Sequence, residues 1–177
     1  MNRTWLTALV AALALAASGS GAAEEGEGRR NPFNVPDVAD PQGDDVRTFA
    51  AKVKLAGERE DANAWDWAPE PVAGRFASLE GEWSSRWGGG VAGDEWFAGT
   101  ATVKVSGDRV FILYKDKTGE YLIEARREGP RRLIGRYADL RTGGGGSPWV
   151  GLVVNDQRID GAWNLGRWDL RRTIGEK

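Results

Sequence analysis

The chain has 177 residues, a formal charge of −2, nine tryptophans, and neither cysteine nor histidine. Without cysteine there is no disulfide framework and no thiolate nucleophile or ligand. Without histidine the commonest general base and the commonest zinc ligand are missing, so Ser-His-Asp and imidazole-metal chemistry are excluded; the near-neutral charge gives no footprint for nucleic acid.

Met1-Asn2-Arg3 is a short positive start, Trp5 to Ala17 is apolar and uncharged, and small residues follow as far as Ala23. This is the layout of a secretory signal peptide, cleaved after Ala23. The apolar run falls short of the roughly 20 residues a membrane span needs, so no transmembrane segment is expected after cleavage. An export signal on a disulfide-free chain rich in Arg, Ala and Gly points to a secreted or periplasmic bacterial protein. Residues 24–72 read as an acidic, Pro/Gly-rich linker and arm. Within them, 24–45 ("EEGEGRRNPFNVPDVADPQGDD") carry few large apolar groups and are expected to be disordered. Residues 46–60 fit two patterns. Val46, Phe49, Ala50 and Val53 make a helical face after a capping Asp45; Phe49, Ala51, Val53 and Leu55 alternate as in a strand. A strand or irregular arm is the preferred reading. Two prolines in "ANAWDWAPEPVAGRF" then argue for an extended connector.

The third segment, 73–177, is expected to be all β. Leu79, Gly81, Trp83, Ser85 and Trp87 alternate with polar residues, the period of a half-buried strand. Seven more short runs follow: Phe97–Val105, "RVFILYK", Tyr121–Arg126, Leu133–Ala138, the fully apolar "WVGLVVN", Ile159–Trp163 and "RWDLRR". "SGD", "DKTGE", "REGP", "NDQR" and "NLG" are hairpin turns between them. Eight strands joined by short turns, with no intervening helical period, predict an antiparallel meander that closes into a small barrel. A two-sheet sandwich is the alternative, and the turns leave little chain for its crossovers.

Glycine stands two residues before an aromatic at Gly74-Arg75-Phe76, Gly81-Glu82-Trp83, Gly119-Glu120-Tyr121, Gly135-Arg136-Tyr137, Gly161-Ala162-Trp163 and Gly166-Arg167-Trp168. Residues i and i+2 share a strand face, so the glycine clears room for a ring and lets the strand coil at a barrel corner. On the first strand, Gly81-Glu82-Trp83 resembles the G-x-W signature of the lipocalin/calycin group, and the arginine-bearing last strand, Arg167 to Arg172, is similar to that group's closing strand. The resemblance implies a calycin-like barrel in which Arg171 or Arg172 packs over Trp83. The strands are shorter than is typical there, which argues against a deep cavity.

Four constellations could carry function. "WGGGVAGDEW", between the first two strands, is a mobile hairpin loop, in the place where lipocalin-like barrels carry a lid; without a following lysine or helix it is no phosphate cradle. Trp83, Trp87, Trp96, Trp149, Trp163 and Trp168 could form a sugar-stacking platform or line an apolar pocket; Trp83 and Trp163, each behind a glycine, are assigned to the core, whereas Trp87, Trp96 and Trp149 sit at loop edges and are candidates for a ligand-binding rim. Arg126, Arg127, Arg131 and Arg132 surround one turn and form a candidate patch for an anion or acidic partner. Asp139, Asp160 and Asp169 would support hydrolysis only if they faced one pocket. Nothing calls for a cofactor or metal. The expectation is an exported, non-catalytic barrel that binds a small apolar molecule or an envelope protein. The alternatives are an envelope interaction module, including a barrel-type protease inhibitor that inserts its N-terminal arm, and a carboxylate-dependent hydrolase.

Overall fold

The computed structural model describes residues 31–55, 79–143 and 146–172. The segment read as a signal peptide, the motif at Gly74 and the connector expected before Leu79 lie outside the described residues. Eight strands follow in chain order: β1 (Gly81–Gly89), β2 (Trp96–Ser106), β3 (Arg109–Asp116), β4 (Gly119–Glu128), β5 (Arg132–Asp139), β6 (Ser147–Asn155), β7 (Arg158–Trp163) and β8 (Gly166–Arg171). Each pairs with the next, and β8 returns to β1 over the register Ser84 opposite Arg171 to Gly89 opposite Gly166. The barrel is therefore a closed antiparallel meander and leaves no sheet edge.

The alternation read from the sequence sets which side chains point inward. Trp83 and Trp87 of β1, Val110, Ile112 and Tyr114 of β3, and Ile159 and Trp163 of β7 all belong to one interior cluster. The interior is divided along its axis. Val105, Val110, Ile112, Leu133 and Val153 fill the end where β1 starts, with Trp83 above them; Trp87, Tyr121, Tyr137, Trp163 and Trp168 gather at the end where β1 finishes. Arg172 places its guanidinium 4.7 Å from the Trp83 ring centroid and donates to the Glu80 carbonyl at 2.9 Å. Trp83 Nε1–H donates to the Leu79 carbonyl at 3.0 Å. The arginine expected over Trp83 is thus Arg172, and it ties the two chain ends of the barrel together.

Glycine makes room for a ring at Gly151, where an added Cβ would meet the Trp149 indole at 2.3 Å; at Gly161 it would meet the Trp168 carbonyl oxygen at 2.2 Å first and the same indole at 3.0 Å. Trp149 thus lies across two glycines that face each other on β6 and β7. At Gly135 the neighbour is backbone, with the Glu124 carbonyl oxygen 2.0 Å from the added Cβ, so this glycine permits close approach of two coiled strands.

Outside the barrel, the expectation of disorder over 24–45 fails for residues 31–45. Val38, beside the partly buried Phe33, Val35 and Leu140, packs on Leu122 and Ala138 of the outer wall. Lys104 donates to the Pro32 carbonyl at 3.0 Å and lies 4.5 Å from the Phe33 ring centroid. The next segment is a helix, α1 (Asp44–Lys52), which corrects the expectation of a strand or irregular arm. Asp44 and Asp45 in its first turn and Lys52 in its last suit the helix dipole. Val46 and Ala50 are buried against Ile134, Val150, Leu152 and Ala162, with Phe49 and Val53 beside them. This is the helical face of the sequence reading. Burial against an apolar outer wall decides between the two periods, because a helix brings all four residues to one side. Among the described residues no helix is long and apolar enough to cross a membrane.

Candidate functional site

The aromatic end of the barrel holds an open cavity of about 260 Å³, lined by Trp87, Tyr121, Tyr137, Asp139, Arg141, Trp163 and Trp168. The meander explains why they meet. Odd strands finish at this end and even strands begin here, so Trp87 and Trp163 at strand ends face Tyr121 and Trp168 at strand starts. The five rings form a closed circuit of contacts. Centroid separations run from Trp87 to Tyr121 (6.5 Å), to Trp168 (5.7 Å), to Tyr137 (5.3 Å), to Trp163 (5.5 Å) and back to Trp87 (5.7 Å), every pair edge-on. Edge-to-face packing is the favoured arrangement for such rings and holds each in place.

The polar edges of the indoles are bound to the barrel wall. Trp87 Nε1–H donates to Asp116 Oδ2 at 2.8 Å, Trp163 Nε1–H to the Gly88 carbonyl at 3.1 Å, and Trp168 Nε1–H to Ser85 Oγ at 3.0 Å. Asp116 also accepts from the Tyr114 hydroxyl at 2.8 Å and from the Thr118 and Gly119 amides at 2.7 and 3.1 Å. Burial pushes the Asp116 carboxyl up, but hydrogen bonds from Thr118, Trp87 and Tyr114 outweigh it and hold the group below the usual carboxylate range. At the rim, Arg141 donates to both oxygens of Asp139, at 3.1 and 2.7 Å, and this pairing lowers the Asp139 carboxyl against a smaller effect of burial. Burial raises the Tyr114 and Tyr137 phenols. At neutral pH the site therefore holds the carboxylates of Asp116 and Asp139, one guanidinium, and the neutral phenols of Tyr114 and Tyr137.

Of the expected rim tryptophans, Trp87 lines this cavity. Trp96 is 39 % exposed but stands on the outer wall, where the Arg86 guanidinium lies 4.3 Å from its ring centroid and a shallower depression runs past Gly88, Gly93 and Arg167. Trp149 is a correction. It is fully buried in the interior, across Gly151 and Gly161, so it offers no rim surface. The four arginines of the candidate patch fall into two pairs. Arg131 donates to the Val153 and Val154 carbonyls at 2.9 and 2.8 Å, and Arg132 binds the Ala50 and Val53 carbonyls at the end of α1. Arg126 and Arg127 remain exposed, with Arg126 3.9 Å from Asp108. Two of the four cations thus fasten backbone, and the other two are left as exposed charge.

The three carboxylates do not share a pocket. Asp139 stands at the mouth, while Asp160 and Asp169 are buried on the outer wall. The register that pairs Ile159 with Leu170 and Ala162 with Arg167 puts Asp160 across from Asp169. Arg167 binds Asp160 at 2.6 Å and Arg86 approaches Asp169 at 3.6 Å. Burial, and then the neighbouring Asp160 charge, push the Asp169 carboxyl up to about 7.

Sequence reasoning missed Tyr121, Tyr137, Asp116 and Arg141; Trp163 and Trp168 are among the tryptophans that could line a pocket, with Trp163 assigned to the core and neither placed on the rim. The alternation places Tyr121, Tyr137 and Trp163 inward. The available signal was their position within strands, since in a meander the ends of odd strands and the starts of even strands share one mouth. Asp116 and Arg141 lie next to turns and gave no period to read. No protein-family model matches the chain, and no curated protein is significantly similar to it.

Proposed function

We propose that this chain is an exported barrel that binds a small, compact ligand in its aromatic mouth without transforming it. One observation carries the reading: an open cavity of about 260 Å³ walled by five mutually braced rings whose indole N–H groups are already bound to the wall. A ring that needs no hydrogen bond from its ligand offers apolar and π surface at little reorganisation cost. Ligand pockets are concave, largely apolar and carry a few polar groups, here Asp139 and Arg141. Drug-sized ligands occupy roughly 300–1,000 Å³, so the occupant is a single ring or a branched head group. Kinship with calycin barrels belongs to the same proposal and is supported by closure in chain order and by Arg172 over Trp83. Export rests on the N-terminal layout from Met1 to Ala23.

Native mass spectrometry of the protein purified from its own source tests the reading. A bound small molecule should appear as added mass, and it should disappear in Tyr137→Leu. Protein that arrives without added mass, and whose tryptophan fluorescence stays unchanged across a panel of small apolar and charged compounds, would contradict it. The protease-inhibitor alternative required a free N-terminal arm, but residues 31–55 lie against the barrel wall through Val38, Val46 and Ala50.

A further inference from the structure

We infer that the aromatic mouth selects a small organic cation of the methylated-ammonium class. The inference rests on the binding role proposed for this cavity and adds the charge of its ligand.

The barrel interior separates its aliphatic and aromatic side chains. Aliphatic residues fill the far end, and the open end is walled by five rings. A neutral apolar ligand gains equally from either surface, whereas a cation gains from rings alone, through their negative π faces. Trp87, Trp163 and Trp168 turn their N–H edges, the positive ends of their dipoles, into the wall. What remains toward the cavity is ring carbon. Fixed charge points the same way. Asp139 lines the cavity, and Asp116 stands directly behind Trp87 and Tyr114. Arg141 is the opposing charge, and both oxygens of Asp139 already engage it. Asp139, Asp116 and Arg141 sum to one negative charge, and Lys117 on the β3–β4 turn places its ammonium 4.8 Å from the ring centroid of Phe97, behind Trp87 and outside the lining. An anion would meet ring carbon and the Asp139 carboxylate, with Arg141 as its one cationic neighbour in the lining. A trimethylammonium head would meet ring carbon from five side chains and Asp139, with Arg141 as the one opposing charge, and its diffuse charge needs no hydrogen-bond acceptor. Arg141 is 60 % exposed at the rim, where it sets how much of that negative potential an incoming cation feels.

The full chain would be titrated with choline, with its neutral carbon isostere, and with the matching tert-butyl carboxylate, read by tryptophan fluorescence and calorimetry. Choline is expected to bind at least about tenfold more tightly than the neutral isostere, the range of a desolvated cation–π site. The carboxylate should bind weakest. Arg141→Ala should tighten choline several-fold by removing a like charge, and Asp139→Asn should weaken it, with thermal melts confirming that both variants fold. Equal binding of choline and the isostere, or preference for the carboxylate, overturns the cation assignment while leaving a binding cavity in place. Failure of all three probes also overturns it, and the mass measurement on source-purified protein then decides whether the mouth binds anything.

Discussion

Trp83 and Trp96 separate two uses of one residue type. Trp83 is 2 % exposed, covered by Arg172 and bonded to the Leu79 carbonyl; Trp96 is 39 % exposed on the outer wall. Trp83→Ala is expected to lower stability by about 3–5 kcal/mol, the usual loss for a large core aromatic. Arg172→Ala should lower it by about 0.5–2 kcal/mol, the range of the cation–π contact. Trp96→Ala should fall within about 1 kcal/mol of wild type, as surface changes do. Denaturant melts rank the three, and equal losses for Trp83 and Trp96 would contradict their placement. Asp116 works through hydrogen bonds. Its carboxyl lies below the usual range when folded, so its contribution is present above the unfolded pKa near 4 and lost as pH falls through the folded value. Asp116→Asn should therefore flatten the acid limb of the stability curve below about pH 4. An unchanged acid limb would show that Trp87 and Tyr114 do not depend on that charge.

At the scale of elements, α1 and the outer wall explain each other. β6 reads "WVGLVVN" because it is covered on both faces: Trp149 and Val153 point into the barrel, while Val150 and Leu152 lie under Val46 and Ala50. That uninterrupted apolar run was visible in the sequence and implied a covering layer. The composition of residues 24–45 hid it, because a segment docked through a few residues such as Val38 needs no dense apolar pattern of its own. Strand periods were legible because inside and outside alternate over eight short runs; the helix was not, because nine residues fit period two and period 3.6 equally well. Val46→Asp should release the helix without burying the charge, since undocking α1 is easier than opening the barrel. Hydrogen exchange should then quicken over residues 44–52 and stay slow in β3 and β4. Loss of protection across the whole barrel would mean that the arm is part of one cooperative unit. The Asp160–Asp169 pair on β7 and β8 gives a second test. A carboxyl raised to about 7 keeps its proton in the folded state while the unfolded chain loses it near 4, so stability should fall as pH rises between those values. Arg86, Arg158, Arg167 and Arg171 share this outer face and limit the fall. Asp169→Asn should remove that slope in urea melts taken from pH 4 to pH 8.

Taken whole, the molecule is a barrel with a division of labour along its axis, and this was only half legible. Which residues point inward follows from period two. Where each inward residue stands along the axis follows from strand order and register, which no single run of sequence carries; Tyr137 and Leu133 share a strand and a face yet lie at opposite ends. Trp149 shows the limit most clearly, because its loop-edge position suggested a rim while two facing glycines on β6 and β7 draw its ring into the interior. The division predicts that stability and binding can be damaged separately. Ile112 and Leu133 are fully buried at the aliphatic end, so Ile112→Ala and Leu133→Ala should each cost about 2–5 kcal/mol. Neither lines the cavity, and Leu133 stands four residues from Tyr137 along β5, so for Leu133→Ala ligand affinity measured well below the melting temperature should hold within about twofold. Tyr137→Leu keeps an apolar side chain at a half-buried position and should cost about 1–3 kcal/mol, the ordinary range for a single substitution. It removes one ring from the circuit and opens the contacts to Trp163 and Trp168, so affinity for whatever the mouth binds should drop about tenfold or more. If Leu133→Ala weakened binding as strongly as Tyr137→Leu, the cavity would have to be coupled to the packing at the far end, and the aromatic mouth would not be an independent site.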